Sequence, residues 1–141
     1  MTKPRFITVG KASQDVFLLS SKDFKPFEHK GVKYERLPLG KKIHIDEVIF
    51  STGGNATNTA VTFARQGLSC KYLWALGNDV ISNTILAALD EENVDTSGVI
   101  QNNHRSASYS TILLAPTGER TVLNYAGASV KSHDLPLDLR Q

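Results

Sequence analysis

The chain has 141 residues, 40% of them hydrophobic, with 16 basic against 14 acidic side chains for a formal net charge of +2. That length suits one domain with a real core, and so nearly balanced a charge gives no field of the kind that draws nucleic acid or an anionic membrane. The single cysteine, Cys70, rules out an internal disulfide, and no apolar run is long enough to span a bilayer.

Met1-Thr2-Lys3-Pro4-Arg5 opens the chain without the apolar stretch of a secretion signal, so a cytoplasmic protein is expected, with neither nucleic acid nor membrane as partner. His29, His44, His104 and His133 are scattered, with no paired spacing and no second cysteine, and no metal site is expected from them. The lysine-rich stretch 22–42 reads as a solvated face.

In chain order, Phe6–Val9 is a short apolar run ending at Gly10, and Val16–Leu19 resumes after the polar patch GKASQD; together they predict a first core strand whose end carries Ser13, Gln14 and Asp15. Pro26, Gly31, Pro38 and Gly40 break the following polar stretch. KIHIDEVIF then alternates as a half-exposed strand does, and the whole segment reads as an antiparallel excursion from the core. In STGGNATNTAVTFARQGL a glycine pair precedes Ala56, Ala60, Val61 and Ala64 at helical spacing, with Phe63 widening the apolar stripe and Gly67 placed as terminator. Lys71–Leu76 reads as a buried strand ending at Gly77, Asn78 or Asp79 as the cap of a helix with Ile81, Ile85, Leu86 and Leu89 on one face, and NVDTSG as a turn leading to Val99. SASYSTILLA and RTVLNYAG, joined by Pro116-Thr117-Gly118-Glu119, predict a hairpin. Strands alternating with helices predict an α/β fold with a parallel sheet. Leu135, Leu137 and Leu139 begin an apolar pattern that stops at the last residue, and a truncated sequence is expected.

Familiar catalytic signatures are missing from the chain. Neither Gly-Lys pair completes a P-loop, Gly53-Gly54 lacks the spacing of a dinucleotide fingerprint, and there is no Gly-x-Ser-x-Gly elbow. What remains is Asp15 near the end of the first strand and Gly53-Gly54-x-x-x-Asn58 at a helix start. Ligands of open α/β sheets bind beyond the carboxyl ends of strands. There an aspartate accepts from two hydroxyls, an asparagine both gives and takes, and glycine N–H groups allow close approach, a set that suits a polyol. Capping of the chain's own backbone by the same groups stays open as the alternative.

Ser51–Val99, together with FITVGKASQDVFL, resembles the N-terminal signature of the ribokinase-like carbohydrate kinases, the PfkB family, in the order of its Gly-Gly-x-x-x-Asn helix start, Gly77-x-Asp79 turn and ENVDTSGV passage. The resemblance implies a single, incomplete ribokinase-like domain over 1–141: a parallel-sheet core with a small β lid, contributed by about 16–49 and 106–124, and with the C-terminal half missing. It implies that Asp15, Gly53, Gly54 and Asn58 bind substrate hydroxyls. Ser13 stands where many members have asparagine and Asn55 where ribokinases often have lysine, departures that leave the identity of the sugar open; Tyr109 and Ile112 are implied as lid residues over the substrate. The family transfers the γ-phosphoryl group of ATP, commonly with Mg²⁺, to a sugar or nucleoside hydroxyl, and its lids often pair subunits, so a homodimer is implied. The family's catalytic Gly-Ala-Gly-Asp motif is absent, YAGAS having no aspartate, and no catalytic residue is assigned. The chain alone is expected to be inactive. The alternative is a sugar-binding or oligomerisation module of the same fold without catalysis.

Overall fold

The structure is a computed structural model and describes residues 6–135. Along the chain run β1 (Phe6–Val9), β2 (Ser13–Leu19), β3 (Pro26–His29), β4 (Val32–Glu35), β5 (Glu47–Gly53), α1 (Asn55–Arg65), β6 (Cys70–Leu73), β7 (Ala75–Gly77), α2 (Val80–Glu91), β8 (Ile100–Asn102), β9 (Ser108–Leu114), β10 (Arg120–Tyr125) and a 3₁₀ turn at Ser132–Asp134. They divide into two compact units, one built from 6–14, 52–109 and 125–135, the other from 15–51 and 110–124. Met1–Arg5, Leu137 and Leu139 lie outside the described residues.

The first unit is α/β with parallel pairing, as expected. β1 pairs in parallel with β6, Phe6 opposite Cys70 and Val9 opposite Leu73. β7, α2 and β8 form a strand–helix–strand unit whose strands pair in parallel, Ala75 opposite Ile100. A helix is the ordinary means of returning the chain to the same end of a sheet. α1 packs on β1 and β6, with Phe63 tilted against Phe6 at 4.6 Å between ring centres. The core gathers Ala56, Ala60, Tyr72, Leu76, Ile85 and Leu89, and burial of each leucine or isoleucine stabilises the unit by about 1.5–3 kcal/mol.

Both helices end as their sequences predict. α1 stops in a Schellman motif: Gly67, at φ 76°, donates its N–H to the Ala64 carbonyl, and Leu68 donates to Phe63. α2 starts at Asp79, whose carboxylate accepts from the Ser82 amide and hydroxyl at 3.0 Å each. α1 carries three threonines, a residue with low helix propensity. Each turns its hydroxyl back to a carbonyl three or four residues earlier, Thr59 to Asn55 and Thr62 to Asn58 at 2.8 Å.

The second unit is all β. The sheet order β10-β9-β2-β5 places β2 beside both β5 and β9, with β5 and β10 as edges. β3 and β4 form an antiparallel hairpin whose turn uses Lys30 at φ 51° and Gly31 at φ 75°. Phe27 lies tilted against Tyr34, ring centres 5.8 Å apart, under the Arg36 guanidinium. The β9–β10 turn closes by Ala115 N–H to Glu119 O and Gly118 N–H to Ala115 O, both 2.9 Å. Lys33 and Glu119 pair at 2.6 Å.

Three expectations are corrected. Ser13, Gln14 and Asp15 do not end the first core strand; they begin β2, which pairs in a different sheet from β1. Ile43 and Ile45 are outside any strand, and in β5 the run Val48, Ile49 and Phe50 is exposed throughout instead of alternating. The buried run 71–76 is interrupted at Trp74, so that β6 pairs with β1 and β7 with β8.

Candidate functional site

The glycine pair stands where β5 gives way to α1. Gly53, buried, is the last residue of β5, and Gly54 is the helix N-cap at φ 110°, ψ 137°, a conformation that L side chains rarely adopt. A Cβ at Gly54 would collide with the Lys11 carbonyl oxygen and the Ala12 Cα. What comes close to this glycine is therefore the chain's own β1–β2 loop. Thr57, 1% exposed, reaches back to the Gly53 carbonyl at 2.7 Å and the Gly54 carbonyl at 2.9 Å. No side chain caps the helix and its first turn carries no acid, which leaves this end with the partial positive charge of its N–H groups.

The loop against Gly54 is itself held. Tyr72, fully buried in β6, donates its hydroxyl to the Gly10 carbonyl at 2.8 Å, and the Ala12 N–H is directed at the phenol oxygen itself. Burial pushes this phenol well above its ordinary range, so it stays protonated and able to donate. Gly10 donates its own N–H to Leu73 at 3.3 Å. Lys11 extends its ammonium to the Ala126 carbonyl at 3.1 Å, and the Ser108 hydroxyl donates to the same carbonyl at 2.7 Å. Sequence reading did not single out Thr57 or Tyr72. Their signals were local: a hydroxyl at helical spacing from the glycine pair, and a tyrosine in an apolar strand, whose buried O–H must find a partner.

Of the expected site residues, Ser13, Gly53, Gly54, Asn55, Asn58 and Tyr109 belong to the first unit and Asp15 and Ile112 to the second. Ser13 and Asp15 are half-buried on β2, and Tyr109 is half-buried on β9. Asn55 and Asn58 are exposed in the first turn of α1, where Asn58 donates its N–H to the Gly54 carbonyl at 2.9 Å. Asn55 borders a hollow of about 320 Å³ with Ile7, Val9, Ala56 and Phe63, which Gly53, Gly54 and Asn58 do not border. Ile112 is 6% exposed. Cys70 is buried, and its thiol is pushed up by that burial, which suits packing.

A family model described as "pfkB family carbohydrate kinase" matches residues 23–139. The chain is 41% identical over 73 residues to the 2-dehydro-3-deoxygluconokinase of Escherichia coli strain K12, a match covering 49% of this chain and 24% of that relative. It is 28% identical over 89 residues to the ribokinase of Haemophilus influenzae, covering 63% of this chain and 28% of that relative. The structure of Arabidopsis thaliana ribokinase complexed with ribose and ATP superposes with a TM-score of 0.71 at 21% identity, over 90% of this chain and 37% of that one. That likeness speaks for the fold, and the match over residues 23–139 carries the assignment: the chain belongs to the pfkB family of carbohydrate kinases.

Proposed function

We propose that the chain is the substrate-binding N-terminal part of a kinase that passes the γ-phosphoryl group of ATP to a hydroxyl of a sugar or nucleoside. The observation that carries this reading is the helix start: a Gly53-Gly54 turn opening α1 with no side-chain cap and with two exposed asparagines in its first turn, in a chain of a carbohydrate-kinase family. In this reading Asp15 accepts from two substrate hydroxyls, Asn58 gives and takes, and the N–H groups at Gly53 and Gly54 receive a further oxygen. Ser13 and Asn55 tune which sugar fits. The β segments at about 16–49 and 106–124 act as the lid, with Tyr109 and Ile112 among the residues that cover the substrate. Phosphoryl transfer is served chiefly by positioning, and these residues bind and orient the acceptor. ATP, when bound, supplies the phosphoryl group, and Mg²⁺ accompanies it. Among the described residues no three His, Cys, Asp or Glu side chains converge, so no residue of this chain is assigned to the ion, and none is assigned as catalytic base.

Asp15→Ala in the native gene product tests the grip. Removing a charged hydrogen-bond acceptor costs about 1.5–3 kcal/mol, and calorimetric titration with ribose and with 2-dehydro-3-deoxygluconate should show that loss for whichever sugar binds. Unchanged affinity would remove Asp15 from the site. Pairing of two copies through the second unit is a further part of the proposal, favoured by the apolar residues exposed on its edge strands: Val48, Ile49 and Phe50 on β5, Val122 and Leu123 on β10.

A further inference from the structure

A buried phenol needs a use for its hydroxyl, and Tyr72 spends its own on the loop that seats the helix start. The contacts run through one unit. The Tyr72 oxygen donates to the Gly10 carbonyl at 2.8 Å and faces the Ala12 N–H. On its other side the same loop sets the Lys11 carbonyl and Ala12 Cα against Gly54 with no room for a methyl group. Gly10 in turn faces Ala56, where an added Cβ would stand 3.2 Å from the alanine methyl. Interiors packed this closely transmit small displacements. A loop released on its Tyr72 side therefore moves where it touches the N-cap of α1.

We propose that Tyr72 is a positioning residue for sugar binding: its hydroxyl holds the β1–β2 loop where that loop sets the first turn of α1 against the substrate. The proposal rests on the sugar-binding reading above. It also explains why a full-size phenol stands in β6, where phenylalanine would fill nearly the same volume.

Tyr72→Phe in the native gene product removes one oxygen and keeps the ring. The expected result is a KM for the sugar raised about five-fold, the factor given by loss of one neutral hydrogen bond, with kcat and the KM for ATP unchanged. Backbone amide exchange should quicken at Ala12 and in the turn 54–56, while the amides of α2 keep their protection. Placing 4-aminophenylalanine at position 72, which restores a donor, should recover the sugar KM. Unchanged exchange in the loop, or quickened exchange with an unchanged sugar KM, overturns the proposal. Loss of protection across α2 together with a fall in kcat also overturns it, because Tyr72 would then serve core packing alone. Should the unsubstituted protein bind no sugar, the sugar-binding reading falls and the proposal with it. That failure is told apart from the others because the exchange measurement needs no ligand.

Discussion

Gly54 answers to its own chain before it answers to any ligand. Its positive φ and the Lys11 carbonyl beside it each exclude a side chain, and Thr57 then binds together the two carbonyls that flank the turn. The nook at the start of α1 is thus built by short-range constraints of the backbone, and the sugar-binding role proposed for it would follow from a turn that had to be tight. Thr57→Val tests how much that hydroxyl contributes. The valine fills the same space but takes the hydroxyl away from the buried Gly53 carbonyl, while the Gly54 carbonyl keeps the Asn58 N–H, so unfolding by urea should show a loss of about 1 kcal/mol with an unchanged slope. No change in midpoint would mean that the Gly53 carbonyl is satisfied without it.

At the scale of elements, the ends of helices and hairpins are where local chemistry decides most. Asp79 caps α2, Gly67 closes α1, and Gly118, at φ 85°, turns β9 into β10; each was readable because the residues that make the feature are neighbours in sequence. A comparable link in the second unit joins elements further apart. The Asp46 carboxylate accepts from the Ser21 N–H at 2.6 Å and from its hydroxyl at 2.8 Å. These bonds, the backbone one first, hold its carboxyl below the ordinary value of 3.8, with smaller help from His44 and Lys22. Because the folded pKa is depressed, the contribution is present above the unfolded value and is lost as pH falls through the folded one. The Ser21 amide should therefore stay protected from neutral pH down to 3.8 and lose protection only in more acid solution. An NMR titration of Ser21 and Asp46 with its midpoint at or above 3.8 would contradict the assignment.

At the scale of the whole molecule, edge strands with apolar faces are a liability that a protein covers or charges. Phe50 is 71% exposed on β5, at one edge of its sheet. If copies pair there, as proposed, Phe50→Lys should shift the native gene product to a lower sedimentation coefficient at micromolar concentration while leaving its thermal midpoint nearly unchanged. The same sedimentation profile for both proteins would remove this face from the pairing surface. What the amino-acid sequence determined alone was the alternation of strand and helix segments around α1 and α2, the glycine-closed end of α1 and the capped start of α2, the hairpin turn, and the pfkB resemblance. All of these depend on residues within a few positions of each other or on a motif in fixed order. What only the tertiary structure decided was which strand pairs with which: that Ser13 and Asp15 begin β2 in a separate sheet, that the buried run breaks at Trp74, and that Tyr72 is spent on a loop 62 positions away. Hydrogen-bonding partners in a sheet, and the partner of a buried hydroxyl, are chosen by residues distant in the chain, and local pattern records only that a partner is needed.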